Sequence, residues 1–101
     1  MKILALEKDL PGGVPEKFSE LAEAEARRVW ELIKEDKIRE IVFRRDQNSA
    51  VITLECKDLA EAEEILSSLP LVENHLIEFD LIPLKPYPGL ERLFKKYNKP
   101  I

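Results

Sequence analysis

An α+β fold on one four-stranded antiparallel sheet is predicted by three observations. Four stretches of the 101-residue chain alternate apolar and polar side chains at the two-residue period of a strand. Two stretches between them repeat apolar residues at spacings of three and four, the period of a helix. Their order is strand, helix, strand, strand, helix, strand, which is the split βαβ arrangement of ferredoxin-like domains. The length suits a single domain over 1–101, with 85–101 as a C-terminal extension expected to pack on a partner subunit.

Residues 2–8 form the first strand, with Leu4 and Leu6 on one face and Ile3, Ala5 and Glu7 on the other. Leu10-Pro11-Gly12-Gly13 is a loop. Pro15 suits the first turn of a helix and Glu16 its positive end. This helix runs to about Asp36 on a stripe of Phe18, Leu21, Ala22, Val29, Leu32 and Ile33. Residues 38–45 form the second strand, with Arg39, Ile41 and Phe43 on one face and Ile38, Glu40, Val42 and Arg44 on the other. The turn Asp46-Gln47-Asn48-Ser49 joins it in a hairpin to a third strand over 50–56. Asp58 caps a second helix, with Glu61 completing a variant of the capping box, and Pro70 stops it. Residues 75–84 form the fourth strand. After Lys85-Pro86-Tyr87-Pro88-Gly89, the residues Leu90, Leu93, Phe94 and Tyr97 mark a short amphipathic tail helix.

Helices cover one face of such a sheet. Leu4, Leu6, Ile52, Leu54, Ile77 and Phe79 are expected to fill that face. The other face mixes Ile3, Ala5, Val42 and Val51 with Glu7, Arg44 and Glu78. A mixed face suits a half-buried surface against a second subunit, with a polar cleft.

Charged residues are 36% of the chain, and sixteen Lys+Arg against twenty Asp+Glu give a net charge of −4. That sign argues against nucleic acid or an anionic membrane as a partner. There is no run of about 18 apolar residues to span a bilayer. The first residues, Met1 to Glu7, turn charged too soon for a signal peptide. The single cysteine, Cys56, excludes an intrachain disulfide, points to a reducing cytoplasm, and reads as a small buried apolar residue. One histidine, His75, cannot build a metal site or a Ser–His–Asp set, so no metal is expected. Gly12-Gly13 alone makes no phosphate loop. Trp30 flanks the helical stripe and reads as packing or interface.

Glu25 is the anomaly. It lies four residues after Leu21 and four before Val29, on the apolar stripe of the first helix. A carboxylate desolvated there has a raised pKa and can serve as a general base beside a carbonyl. The alternative places Glu25 at the edge of the stripe, paired with Arg28 or Arg39. Arg39, Arg44 and Arg45 cluster on the second strand, where guanidinium groups could grip a substrate carboxylate or pair with Glu55 or Asp46. Tyr87, between two prolines, could close a pocket or pack under the tail.

Three stretches together resemble the muconolactone isomerase family. They are the helix bearing Glu25 that runs through Lys34-Glu35 into Ile38-Arg39-Glu40-Ile41, then Leu69-Pro70-Leu71 with the Ile77-Glu78 strand, then the proline-containing segment after it. The resemblance implies a dimeric α+β barrel, assembled as dimers and often decamers, with sites at subunit boundaries. It implies a cofactor-free proton shift on a small carboxylate-bearing lactone or oxo-acid. The family's catalytic glutamate falls on Glu25 and a second-strand arginine on Arg39, with Arg44 close by. Ser68 stands where isomerases carry an amide and, with Tyr87, would supply hydrogen bonds; Ala50 stands where they carry a polar side chain. The alternative function is a non-catalytic ligand-binding or assembly protein on the same barrel. A monooxygenase-like barrel is weaker, because His75 and Trp30 fall on separate elements.

Overall fold

The computed structural model describes residues 1–95. Its elements are β1 (Lys2–Asp9), α1 (Pro15–Lys34), β2 (Ile38–Phe43), β3 (Ala50–Glu55), α2 (Leu59–Ser67), α3 (Pro70–Glu73) and β4 (Ile77–Pro83). A 3₁₀ turn (Pro88–Leu90) and α4 (Glu91–Lys95) follow. The four strands form one antiparallel sheet in the order β2-β3-β1-β4. This is the ferredoxin-like α+β arrangement.

Local chemistry accounts for the boundaries. Pro11 and Gly12 occupy the centre of the turn after β1, with Gly12 at φ 90°, and Gly13 N–H reaches back to the Leu10 carbonyl. Pro15 opens α1, whose N-cap Val14 supplies no side-chain bond. α1 ends in a Schellman motif: Lys37 N–H donates to Leu32 O and Asp36 N–H to Ile33 O, with Asp36 at φ 62° where glycine is usual. Asp58 caps α2 by accepting from Glu61 N–H at 2.9 Å, and the Glu61 carboxylate reaches back to Lys57 N–H. Pro70 ends α2 and also begins α3. That short helix closes in a second Schellman motif, with His75 at φ 60°. β4 therefore starts at Ile77, two residues later than the alternation at His75 suggests.

The core lies between the helices and one sheet face. Ile3, Leu32, Ile38, Ile52, Leu54, Leu69 and Ile77 are its largest fully buried side chains. Two strands differ from the sequence expectation. In β1, Ile3 pairs with Leu54 and Ala5 with Ile52, so Ile3, Ala5 and Glu7 face the helices while Leu4 and Leu6 lie on the open face. Both sets are apolar, so alternation gave the period of β1 but not its phase. In β2, a bulge between Ile38 and Glu40 puts Ile38 in the core and throws Arg39 outward.

The open face carries Leu4, Leu6, Val42, Val51 and Ile82, rimmed by Lys8 bridging to Asp80 at 3.0 Å and Glu78 at 3.7 Å. Cys56 is buried, with its N–H on the Met1 carbonyl. The tail helix forms, but Leu90, Leu93 and Phe94 remain more than half exposed. Tyr97 lies outside the described residues. Among the described residues, no helix is long and apolar enough to cross a membrane.

Candidate functional site

A cavity of about 710 Å³ opens between α1 and the helix-covered face of the sheet. It therefore lies on the opposite face from the polar cleft that the mixed strand pattern suggested. α1 forms its roof with Phe18, Ala22, Glu25, Ala26, Val29 and Ile33, residues that recur at helical spacing. The roof leaves space because Ala22 and Ala26 are small. Ile52, Ala50, Phe43 and Phe79 make an apolar floor. Trp30 stands at the exposed margin, with the Lys34 ammonium 5.8 Å from its ring centre.

Glu25 projects from the roof and is half-buried. Its Oε1 accepts a hydrogen bond from Leu71 N–H at 2.9 Å. The origin of that donor is local. Pro70 has no N–H, so Leu71 offers the first free donor of α3, and Leu69 contributes no side-chain cap. The Leu69-Pro70-Leu71 sequence thus supplies the anchor for Glu25 from 46 residues away. Burial pushes the Glu25 carboxyl above its ordinary pKa, and the Leu71 N–H draws it partly back. The arginine partners considered for Glu25 are engaged elsewhere. Arg28 donates to Ser68 Oγ at 2.9 Å and to Glu31 at 3.3 Å. Arg39 donates to the Asp36 carbonyl at 3.2 Å.

Two further carboxylates line the cavity from β1, Glu7 and Asp9. Glu7 Oε1 accepts from Ala50 N–H at 3.1 Å. Burial raises the Glu7 pKa; the Ala50 N–H opposes this, while the nearby Asp9 and Glu25 carboxylates raise it further. Neither residue stood out by composition. The available signal was that Glu7 continues the Ile3–Ala5 face, but its use required knowing that this face meets the helices.

The sheet and helices do not gather the other candidates around Glu25. Arg39 is exposed at the bulge. Arg44 is exposed and holds Asp46 through two bonds of 2.9 and 2.6 Å, which raises its own pKa and lowers that of Asp46. Ser68 caps the end of α2, donating to the Ile65 carbonyl at 2.6 Å while accepting from Arg28. Tyr87 is 69% exposed in the tail, with its ring over Gly89. None of these four lines the cavity, and among the described residues no Lys, Arg or His does. No group of three or more His, Cys, Asp or Glu among the described residues is arranged to hold a metal ion.

No protein-family model matches the chain, and no curated protein matches it by sequence. Among solved structures, it is similar to 5-chloro-2-hydroxyhydroquinone dehydrochlorinase (TftG) from Burkholderia phenoliruptrix AC1100, in complex with 2,5-dihydroxybenzoquinone. The TM-score is 0.69 at 16% identity, over 88% of this chain and 98% of that chain. The likeness is one of fold. On that shared fold, this chain presents an apolar cavity with one half-buried carboxylate in its roof and two on its floor. Such an arrangement can hold a small flat molecule and exchange a proton with it.

Proposed function

We propose that this chain is a cofactor-independent proton-transfer enzyme, an isomerase-like protein acting on a small lactone or oxo compound. The observation that carries this reading is Glu25, a half-buried carboxylate held by Leu71 N–H in the roof of an apolar cavity. A base with a raised pKa takes a proton from carbon more readily than an exposed carboxylate does. Its backbone anchor fixes the orientation of the acceptor oxygen. The resemblance to muconolactone isomerases through Glu25 and Leu69-Pro70-Leu71 supports the same reaction class, and TftG shows that this fold can hold a small ring compound. A substrate carboxylate would need a cation to meet it. Arg39 and Arg44, assigned that role from the sequence, stay outside the cavity of this chain.

The test is deuterium exchange into muconolactone in D₂O, followed by NMR. Wild type should exchange ring protons above background. Glu25→Gln, which retains an acceptor for Leu71 N–H, should lose about 10²–10⁴-fold of that rate, the usual contribution of a general base. Exchange of equal rate in both proteins would remove Glu25 from the reaction.

A second reading, a non-catalytic ligand-binding or assembly protein on the same barrel, is favoured by the dispersal of Arg39, Arg44, Ser68 and Tyr87. It requires ligand binding without turnover, undiminished in Glu25→Gln.

Self-association belongs to the same proposal. The open face with Leu4, Leu6, Val51 and Ile82, and the exposed Leu90, Leu93 and Phe94 of the tail, suit burial against a second copy. Light scattering should return the mass of a dimer or a decamer, and Leu6→Lys should lower it; a monomeric wild type would refute assembly. The buried Cys56 thiol suits a reducing cytoplasm.

A further inference from the structure

The floor of the cavity holds an arrangement that a single base does not need. Glu7 and Asp9 are two residues apart on β1, so both point to the helix-covered face. Glu25 faces the same space from the roof. Arg44 borders Glu7 and Asp9 from a second cleft, where Asp46 holds its guanidinium through two bonds. β3 contributes Ala50, β4 places Phe79 opposite Glu7, and β2 contributes Phe43. Lys8, the nearest cation in sequence, points to the open face and is held by Asp80 and Glu78. Three carboxylates thus line one largely apolar cavity that, among the described residues, is lined by no cation. Like charges facing one apolar space disfavour one another's ionisation.

Position singles out Glu7 as the carboxyl that holds a proton. It stands between Asp9, two residues along the same strand face, and Glu25 across the cavity, and both neighbours add to the effect of its burial, against the one N–H that it accepts from Ala50. Glu25 likewise accepts one backbone N–H, but burial alone raises its carboxyl, with no neighbouring carboxylate adding to it.

We infer that Glu7 is the general acid of the site, working on the sheet side of a bound ligand while Glu25 works as base on the helix side. The inference rests on the proton-transfer reading above. It narrows the substrate to an uncharged β,γ-unsaturated carbonyl compound, because among the described residues the cavity lining meets a carboxylate with acidic groups and no cation. The step balances without a co-reactant. Glu25 takes the proton from the carbon next to the carbonyl, and that C–H electron pair becomes the new C=C bond of a dienol. The carbonyl π pair moves to oxygen, which takes the Glu7 proton. Glu25 then returns its proton to the γ carbon, Glu7 recovers its own from the enol oxygen, and both carboxyls are restored. The net change is one proton moved between two carbons.

The test uses α-angelica lactone, an uncharged β,γ-unsaturated lactone, beside muconolactone, which carries a carboxylate. Wild type should exchange and isomerise the uncharged lactone faster. Its rate should rise as Glu25 deprotonates and fall as Glu7 does, giving a bell-shaped pH profile. Glu7→Gln keeps an acceptor for Ala50 N–H but cannot give up a proton. It should be slower by about 100-fold and should lose the alkaline limb. A Glu7→Gln variant with wild-type rate and an unchanged alkaline limb, while Glu25→Gln is inactive, would overturn the acid role and leave the reaction class standing. No exchange by wild type with either lactone would overturn both. Carbon-13 NMR titration of wild type is independent of how the variants fold. The Glu7 carboxyl should remain protonated above the usual carboxylate range, and ordinary titration there would overturn the assignment.

Discussion

The helix-covered face of the sheet has two unlike ends. At one end Ile3, Leu54, Ile38 and Leu32 interlock with essentially no exposure. At the other, Glu7, Ala50 and Phe43 look up at Ala22 and Ala26 across a cavity of about 710 Å³. The same strands β1, β2 and β3 and the same helix α1 build both ends. The difference is side-chain volume and charge: large aliphatics at one end, alanines and carboxylates at the other. Dense packing supplies stability where it is complete. The fold can therefore leave its other end hollow and acidic, at a local cost in stability that the packed end offsets.

Breaking the packed end should have the largest effect. Leu54→Ala removes a fully buried side chain and should lower unfolding stability by about 2–5 kcal/mol in urea titration. A loss well under that range would mean that the packed end is looser than its burial indicates. Filling the hollow end should act the opposite way. Ala26→Leu adds volume to the cavity roof and should raise stability by about 0.5–2 kcal/mol while abolishing ligand binding. Destabilisation would show that the roof cannot accept the larger side chain.

The pH response should also divide along this line. Burial raises the pKa of Glu7 and of Glu25 in the folded chain. Both carboxyls then bind protons more tightly folded than unfolded. Their contribution favours the fold when they are protonated, and it is lost as pH rises from the ordinary carboxylate range through their raised folded values. Glu25→Gln should flatten that decline in Tm, since it keeps the bond from Leu71 N–H without the charge. A decline of equal slope in the variant would place its source elsewhere. The smallest effect should come from a site at neither end. Asp36 sits at φ 62° in the Schellman turn after α1. Asp36→Gly should be worth under about 1 kcal/mol of stabilisation, the relief of the left-handed conformation less the added freedom of the unfolded chain. Thermal melts would detect it, and a lower Tm would point to a role for the Asp36 side chain.

Much of the architecture was legible from local chemistry. The strand and helix periods, the Asp58 cap, Pro15 at the start of α1 and the order of elements all depend on residues within a few positions of each other. Glu25 was legible for the same reason, because a carboxylate flanked at four-residue spacing by Leu21 and Val29 is a local anomaly. The remaining site was not. Arg39 falls on the predicted inner face of its strand, but the bulge beside Ile38 carries it outside. Arg44 lies just beyond the end of β2, where Asp46 is within reach. Ser68 is taken up by Arg28 across 40 residues, a partnership that no spacing rule reveals.

The sequence by itself determined the periods of the elements, their order and the presence of one misplaced carboxylate. Only the tertiary structure decided which face of β1 meets the helices, and with it that Glu7 and Asp9 line the cavity beneath Glu25. The physical reason is that side-chain alternation in a strand specifies a period of two and leaves the phase open when both faces are apolar. The phase is set by the register between β1 and β3, through pairs such as Ile3 with Leu54, whose partners lie half the chain apart.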